Sequence, residues 1–339
     1  CELPDGRLVF VSTRNQLWVT CKGGASGVLF SCDRDGAGVK LLSANIDSDH
    51  TPQVLEDGRV MFTRWDYGIE KNVFARHALW TMNPDGSKLS LLFGNTIEDP
   101  AGFWQARAVP GRSEIVATFG PHHSGQAGMM GVIWPRNGTE EPRGKGFRFI
   151  TREIPSYCDT TCHFGYQDPF PLHERLFLVS YGGDGGQRNR LYLIDDRGNK
   201  KCIYEAEGDL CCYHPQPLIA RKRPPILSPQ CSNPDWEPAD PIARSRTPAT
   251  VPVGTLMVQD VYRGISKRVK RGEAATIQIM EQLRKTTRHL HDAWGTSPLM
   301  GRGTVHVRRV IGTVPIEQDG SASFHVPALR NISLNLLDK

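Results

Sequence analysis

The sequence predicts an all-β protein: the blades of a partial β-propeller, followed by a small antiparallel β domain. Two recurring blocks and one change of pattern carry that prediction. Leu3-Pro4-Asp5-Gly6-Arg7-Leu8-Val9-Phe10 returns as Leu55-Glu56-Asp57-Gly58-Arg59-Val60-Met61-Phe62, and each Asp-Gly pair sets a tight turn ahead of an alternating strand. Val28-Leu29-Phe30-Ser31-Cys32-Asp33-Arg34-Asp35-Gly36 is matched by Ala78-Leu79-Trp80-Thr81-Met82-Asn83-Pro84-Asp85-Gly86, and again by Leu191-Tyr192-Leu193-Ile194-Asp195-Asp196-Arg197-Gly198-Asn199. Each of these reads as a strand, a hairpin and a second strand. Beyond residue 207 the blocks stop and a proline-rich stretch takes over.

The repeat period is roughly 50 residues, the spacing of propeller blades rather than of a solenoid. Four units follow at about 1–45, 46–95, 100–151 and 167–207, of the TolB or WD40 kind. The chain opens on Cys1-Glu2-Leu3-Pro4-Asp5-Gly6, which reads as the interior of a repeat, so further blades are expected ahead of it. Residues 208–252 contain Arg221-Lys222-Arg223-Pro224-Pro225 and many further prolines, an extended connector along the propeller surface. The domain at 253–339 takes strands at 254–262, 303–314 and 322–326, the last two joined by Asp319-Gly320. Ala274 to Ala293 reads as a polar helix or as an ordered insertion. The chain stops in mid-pattern at Asn335-Leu336-Leu337-Asp338-Lys339, so this domain is expected to be cut short.

Composition narrows the class. A chain of 339 residues with 39% hydrophobic content can bury a large core. No stretch approaches the roughly 18 apolar residues that span a bilayer, so no membrane span is expected. Nine cysteines are many for a reduced compartment. The number is odd, which points to an exported location, periplasmic or equivalent, with some thiols taken by a ligand. Residues 213–310 hold 16 Lys and Arg against 7 Asp and Glu, a solvated basic face or a docking surface for an acidic partner. No base-reading motif accompanies this charge, and nucleic acid is not an expected partner.

One stretch carries chemistry: Ser156-Tyr157-Cys158-Asp159-Thr160-Thr161-Cys162-His163-Phe164-Gly165-Tyr166. Two thiols followed at once by an imidazole is how a chain captures haem c. The sulfurs add to the porphyrin vinyl groups, and the adjacent histidine meets the iron. Here the spacing is C-x3-C-H, one residue longer than usual. Tyr166 adds a phenolate that can hold iron and leave the opposite face open. The same residues also suit zinc, a short-loop disulfide between Cys158 and Cys162, or unpaired thiols. The stretch lies between the third and fourth units, in a loop of the kind that converges at one end of a propeller channel. Pro121-His122-His123-Ser124-Gly125 is a second such loop, a surface turn or a metal-lining one. His122, His123, His163 and Cys21 are the candidate metal ligands. Thr63-Arg64-Trp65-Asp66 reads as a packed strand end with an Arg64–Asp66 pair. Cys211 and Cys212 cannot easily bridge each other, which leaves Cys202 and Cys231 as possible partners.

Leu55 to Tyr67, Asp168-Pro169-Phe170-Pro171-Leu172, Phe177-Leu178-Val179-Ser180-Tyr181, His214-Pro215-Gln216-Pro217-Leu218 and Gly312 to Ala322 together resemble the hydrazine synthase alpha-subunit family. The resemblance implies a propeller, a middle domain with a c-type haem and a C-terminal domain with another. In that family the middle haem is attached through C-x-x-C-H. A tyrosine just downstream holds the iron, and the motif histidine turns to zinc. Carried over, Cys158 and Cys162 hold haem, Tyr166 is the axial ligand and His163 the zinc ligand, which makes Tyr166 and His163 the catalytic candidates. The Cys158-to-Tyr166 span is kept, while Cys162-His163 is displaced by one residue.

The resemblance further implies an oxidoreductase acting on small nitrogen compounds. Its chemistry would be N–N bond formation from nitric oxide and ammonium, with other subunits of a complex as partners. The contrasting expectation is a non-enzymatic propeller scaffold of the same family, held by disulfides or structural zinc.

Overall fold

The computed structural model describes residues 1–19, 24–66, 76–123, 125–153, 165–183, 188–233, 253–263, 269–283 and 308–338. Apart from a short 3-10 turn at Pro135–Asn137, every regular element among them is a β-strand. Two compact units divide the chain. One comprises Cys1–Ser12, Gly27–Ser43 and Asp47–Trp236; the other comprises Thr13–Ser26, Ala44–Ile46 and Glu237–Lys339.

In the first unit, antiparallel meanders follow one another along the chain. β1 (Leu8–Ser12), β2 (Val28–Cys32) and β3 (Lys40–Leu41) form a three-stranded sheet. β4 (Asp49–Val54), β5 (Val60–Asp66), β6 (Arg76–Met82) and β7 (Ser90–Phe93) form the next meander. A third consists of β8 (Gly102–Ala108), β9 (Ile115–Gly120), β10 (Met129–Ile133) and β11 (Phe147–Phe149). One parallel pairing, His77 with Gly102, merges the second and third into an eight-stranded sheet. β12 (Tyr166–His173), β13 (Leu176–Tyr181), β14 (Arg190–Asp195) and β15 (Lys200–Tyr204) form the last. Each sheet is an open one, and none closes on itself among the described residues.

The Asp-Gly turns act as the sequence predicts, and the reason is local. Leu55 N–H bonds Arg59 O at 2.8 Å and Gly58 N–H bonds Leu55 O at 3.0 Å, while Asp57 Oδ1 accepts from Arg59 N–H at 3.0 Å. The same set recurs at Asn83–Ser87, where Asp85 Oδ1 accepts from Ser87 N–H at 3.0 Å. Gly58 and Gly86 take φ of 88° and 83°, values that L side chains rarely adopt. A Cβ at Gly58 would also lie 2.5 Å from Pro225 O, and one at Gly86 would lie 2.6 Å from Leu42 O. Residues 208–233 have no regular strand. They are held at one point by Asp85, whose Oδ2 accepts from Gln230 N–H at 2.5 Å and Cys231 N–H at 3.0 Å.

The core of this unit is aromatic. Phe93, Phe103, Phe119 and Phe147 are fully buried and meet edge to face, Phe103 and Phe119 at 5.1 Å and 85°. Such pairs add about 0.5–1.5 kcal/mol beyond their buried area.

The first strand of each of three meanders carries the same irregularity. Register slips between His50 and Gln53 in β4, between Trp104 and Arg107 in β8, and between Gln167 and Phe170 in β12. At each slip one residue takes a left-handed backbone: Thr51 at φ 47°, Gln105 at 50° and Asp168 at 55°. His214, after β15, adopts φ 50° as well. Bulges of this kind re-aim a side chain.

The second unit is also antiparallel. β16 (Val253–Val258) pairs with β19 (Ala322–Pro327), and β17 (Thr276–Gln282) lies between β18 (Arg308–Pro315) and β20 (Ile332–Leu337). Val261, Ile277, Ile279, Phe324 and Val326 form its core. Of the two expectations for Ala274 to Ala293, a polar helix or an ordered insertion, the helix is replaced over 276–282 by β17, whose residues alternate between half-buried and buried. Residues 284–293 of that expectation lie outside the described residues. Asp319-Gly320 turns as expected, with Glu317 N–H on Ser321 O at 2.8 Å, but the strands it joins belong to different sheets.

Candidate functional site

Cys158, Cys162, His163 and Cys21 lie outside the described residues. Tyr166 is described and opens β12. Its cross-strand partner is Tyr181, on which its ring stacks at 4.1 Å and 7°. The ring is fully buried, and the Lys200 ammonium lies 5.2 Å from its centroid. The phenol oxygen donates to Glu153 Oε1 at 2.5 Å and accepts from Lys200 Nζ at 2.5 Å, and Lys200 also reaches Glu153 Oε1 at 2.9 Å. Glu153 and Tyr166 flank residues 154–164, so this triad clasps the base of the segment that carries both thiols and the imidazole.

The electrostatics of the clasp are one-sided. Burial pushes the Glu153 carboxyl up, but hydrogen bonds from Tyr166, Lys200 and the backbone together outweigh it and hold the group down at about 2. Burial, then the hydrogen bond to Glu153 and its negative charge, push the Tyr166 phenol above its ordinary range. The proton therefore stays on the phenol. Iron held by tyrosine is bound by the phenolate; in this arrangement the Tyr166 oxygen keeps its proton, donating to Glu153 and accepting from Lys200.

His122 and His123 join a second cluster. His77, at the start of β6, places Nε2 2.8 Å from His122 Nδ1. The rings of His122 and His123 are 4.4 Å apart. Trp65 stacks on His77 at 5.5 Å, and Trp104 approaches it at 4.1 Å. His50 lies 5.8 Å from Trp104. Burial first, then the charges of His122, His50 and His123, hold the His77 imidazole well below its usual value. Burial lowers His50 too, against the opposing charge of Asp49. Neutral imidazole is the metal-binding form. Even so, no three His, Cys, Asp or Glu side chains among the described residues are grouped to hold a metal ion. The cluster is a box of aromatic rings in which His77 Nδ1 and Trp104 Nε1 are buried with no hydrogen-bond partner among the described residues.

Sequence reasoning found His122 and His123 but missed His50 and His77. Each is the second residue of its strand, and no local pattern marks either; His77 lies across from Trp65 only through the pairing of β5 with β6. The Arg64–Asp66 pair forms as expected, at 3.5 Å. The six described cysteines, Cys1, Cys32, Cys202, Cys211, Cys212 and Cys231, are all free, so the pairings proposed for Cys202 and Cys231 do not form.

The family model of the hydrazine synthase alpha subunit middle domain matches residues 269–339. That segment belongs to the hydrazine synthase alpha-subunit family. It contains β17 to β20 and does not include Cys158 to Tyr166, so the family match and the haem-like motif fall on different parts of the chain. A hydrazine synthase structure from Kuenenia stuttgartiensis is similar over 98% of this chain, with a TM-score of 0.73 and 16% identity. The likeness shows a shared fold. The chain spans 48% of that structure's length. Two puromycin hydrolase structures are similar over 60% and 61% of the chain at a TM-score of 0.36, with 11% and 12% identity. No curated protein sequence matches. No helix among the described residues of this hydrazine synthase alpha-like chain is long and apolar enough to cross a membrane.

Proposed function

We propose that this chain is part of a hydrazine synthase alpha-like subunit of a multi-subunit, exported complex, and that it carries one covalent haem c through Cys158 and Cys162. The observation that carries the reading is the clasp. Glu153, Tyr166 and Lys200 tie both ends of an eleven-residue segment holding two thiols and an imidazole, and a loop closed at its base can present several ligands to one group. In this reading His163 faces the iron or a zinc ion, and Tyr166 positions the segment. A bound haem would supply redox chemistry on small nitrogen compounds; N–N bond formation from nitric oxide and ammonium is the reaction that the family match favours.

The test is protein matured with a cytochrome c assembly system, read by absorption spectrum and pyridine haemochrome. Haem that survives denaturation in the parent and is lost in Cys158→Ser with Cys162→Ser is the expected result. Absence of covalent haem would end the proposal. The committed, neutral phenol of Tyr166 favours a second reading, a scaffold with structural zinc or a Cys158–Cys162 disulfide. Zinc without iron on metal analysis, or two fewer free thiols, would establish that one instead.

A further inference from the structure

The three left-handed bulge residues and His214 have a common destination. Thr51, Gln105, Asp168 and His214 come from four successive stretches of chain and all line one pocket of about 240 Å³, together with Gln53 and Arg107. Thr51 is β-branched, and φ of 47° is strained for such a residue. Strain repeated at matching places around a cavity marks a built site, because packing alone would relax it.

The polar groups of the pocket are wired so that donors remain. Gln53 Oε1 accepts from Arg107 Nη1 at 3.0 Å. Gln105 Oε1 accepts from Thr118 Oγ1 and from Asp168 N–H, both at 3.0 Å. Gln105 Oε1 is filled by its two donors and Gln53 Oε1 is turned to Arg107, so both glutamines keep their amide N–H2 groups to offer. Asp168, 4% exposed, is occupied in the same way. Its Oδ1 lies 2.8 Å from His214 Nδ1, and its Oδ2 accepts from His214 N–H at 3.2 Å. The carboxylate takes the Nδ1 side of the imidazole, so that with the ring protonated Nε2–H is a second, outward donor.

Charge points the same way. Arg107 and Arg221 both stand over the Phe170 ring, at 5.1 and 5.7 Å, against the single carboxylate of Asp168. Arg107 lines the pocket and Arg221 stands outside its lining, on the same ring, so positive charge beside the pocket exceeds the single carboxylate, and the planar fork of arginine matches a planar pair of oxygens.

We infer that this pocket binds a small planar oxyanion of the carboxylate or nitrate type, held between the Arg107 guanidinium and the protonated His214 imidazole, whose Nδ1–H goes to Asp168 and whose Nε2–H goes to the anion. The Gln53 and Gln105 amides are the flanking donors, and Asp168 is a positioning residue that acts through His214. The site is independent of the haem proposal, since none of its residues belongs to the cysteine segment.

The test is isothermal titration calorimetry of the full chain at about pH 5.5, below the ordinary histidine value, with sodium acetate, sodium nitrate and sodium phosphate in separate runs, at constant ionic strength set with chloride. Acetate or nitrate should bind, and His214→Ala should weaken that binding at least about tenfold, the worth of one charge-assisted hydrogen bond. Arg107→Gln should weaken it further. His214 is largely exposed, with its side chain at 68%, so His214→Ala keeps the fold, and circular dichroism checks both variants. Binding that is unchanged in folded His214→Ala would overturn the inference, as would no heat beyond the chloride control. Phosphate binding tighter than both planar anions would overturn the ligand class.

Discussion

Tyr166 and Asp168 stand two residues apart on β12, and their surroundings have opposite designs. Tyr166 is saturated: its ring is stacked on Tyr181, and its oxygen is bonded to Glu153 and Lys200. Asp168 sits on a left-handed bulge, buried, with its carboxylate turned to a histidine that lines a pocket. The saturated residue clasps a segment, whereas the strained one aims another side chain. A motif residue can thus be structural while its unremarked neighbour belongs to a site.

The sharpest way to break this contrast is Tyr166→Ala. Removing a fully buried aromatic ring should cost about 3–5 kcal/mol in denaturant unfolding; a cost below about 1 kcal/mol would mean that the clasp is not structural. Tyr166→Phe keeps the ring and loses the bond to a charged partner, an expected cost of about 1.5–3 kcal/mol.

That second difference should depend on pH, and its sign follows from Glu153. The group is held near 2 when folded, against an ordinary value of 4.5. Its contribution is therefore fully present above pH 4.5 and is lost as pH falls toward 2. The gap in stability between parent and Tyr166→Phe should close over that interval. Asp85, also held at about 2, first against burial and then by bonds from Ser87, Gln230 and Cys231, should release residues 230–231 over a similar range. Amide exchange at those residues reads that release.

On the strained side, Thr51→Gly should raise stability by about 1 kcal/mol, by relieving the left-handed backbone. It should weaken acetate binding as the bulge loosens, and a loss of stability would show that the bulge is not strained. His214→Ala should cost about 1–3 kcal/mol in stability, since it takes the imidazole from the buried Asp168 carboxylate, and its effect on anion binding is large.

The strands and their turns were legible because they are local. Asp57-Gly58 and Asp85-Gly86 announce positive-φ turns within five residues of chain. β17 was not legible as a strand. Ile277, Ile279 and Glu281 share its buried face, and the charge of Glu281 breaks the apolar alternation that would reveal it. Burial of Glu281 is made possible by Arg309 at 2.7 Å and Arg330 at 3.2 Å, partners 28 and 49 residues away. The His77–His122 contact joins residues 45 apart, and the Asp168–His214 pair joins residues 46 apart. No window of sequence holds both members of either pair.

By itself the sequence determined the all-β class, the tight turns, the C-x3-C-H spacing and the family resemblance, because each depends on neighbours along the chain. Only the tertiary structure decided that Tyr166 is a committed phenol, that four of the histidines and two tryptophans share one box, and that Gln53, Gln105, Arg107 and His214 face one pocket. Those outcomes depend on which side chains the stacked meanders bring within about 3–6 Å of one another, and that is set by strand register and bulges in separate stretches of chain.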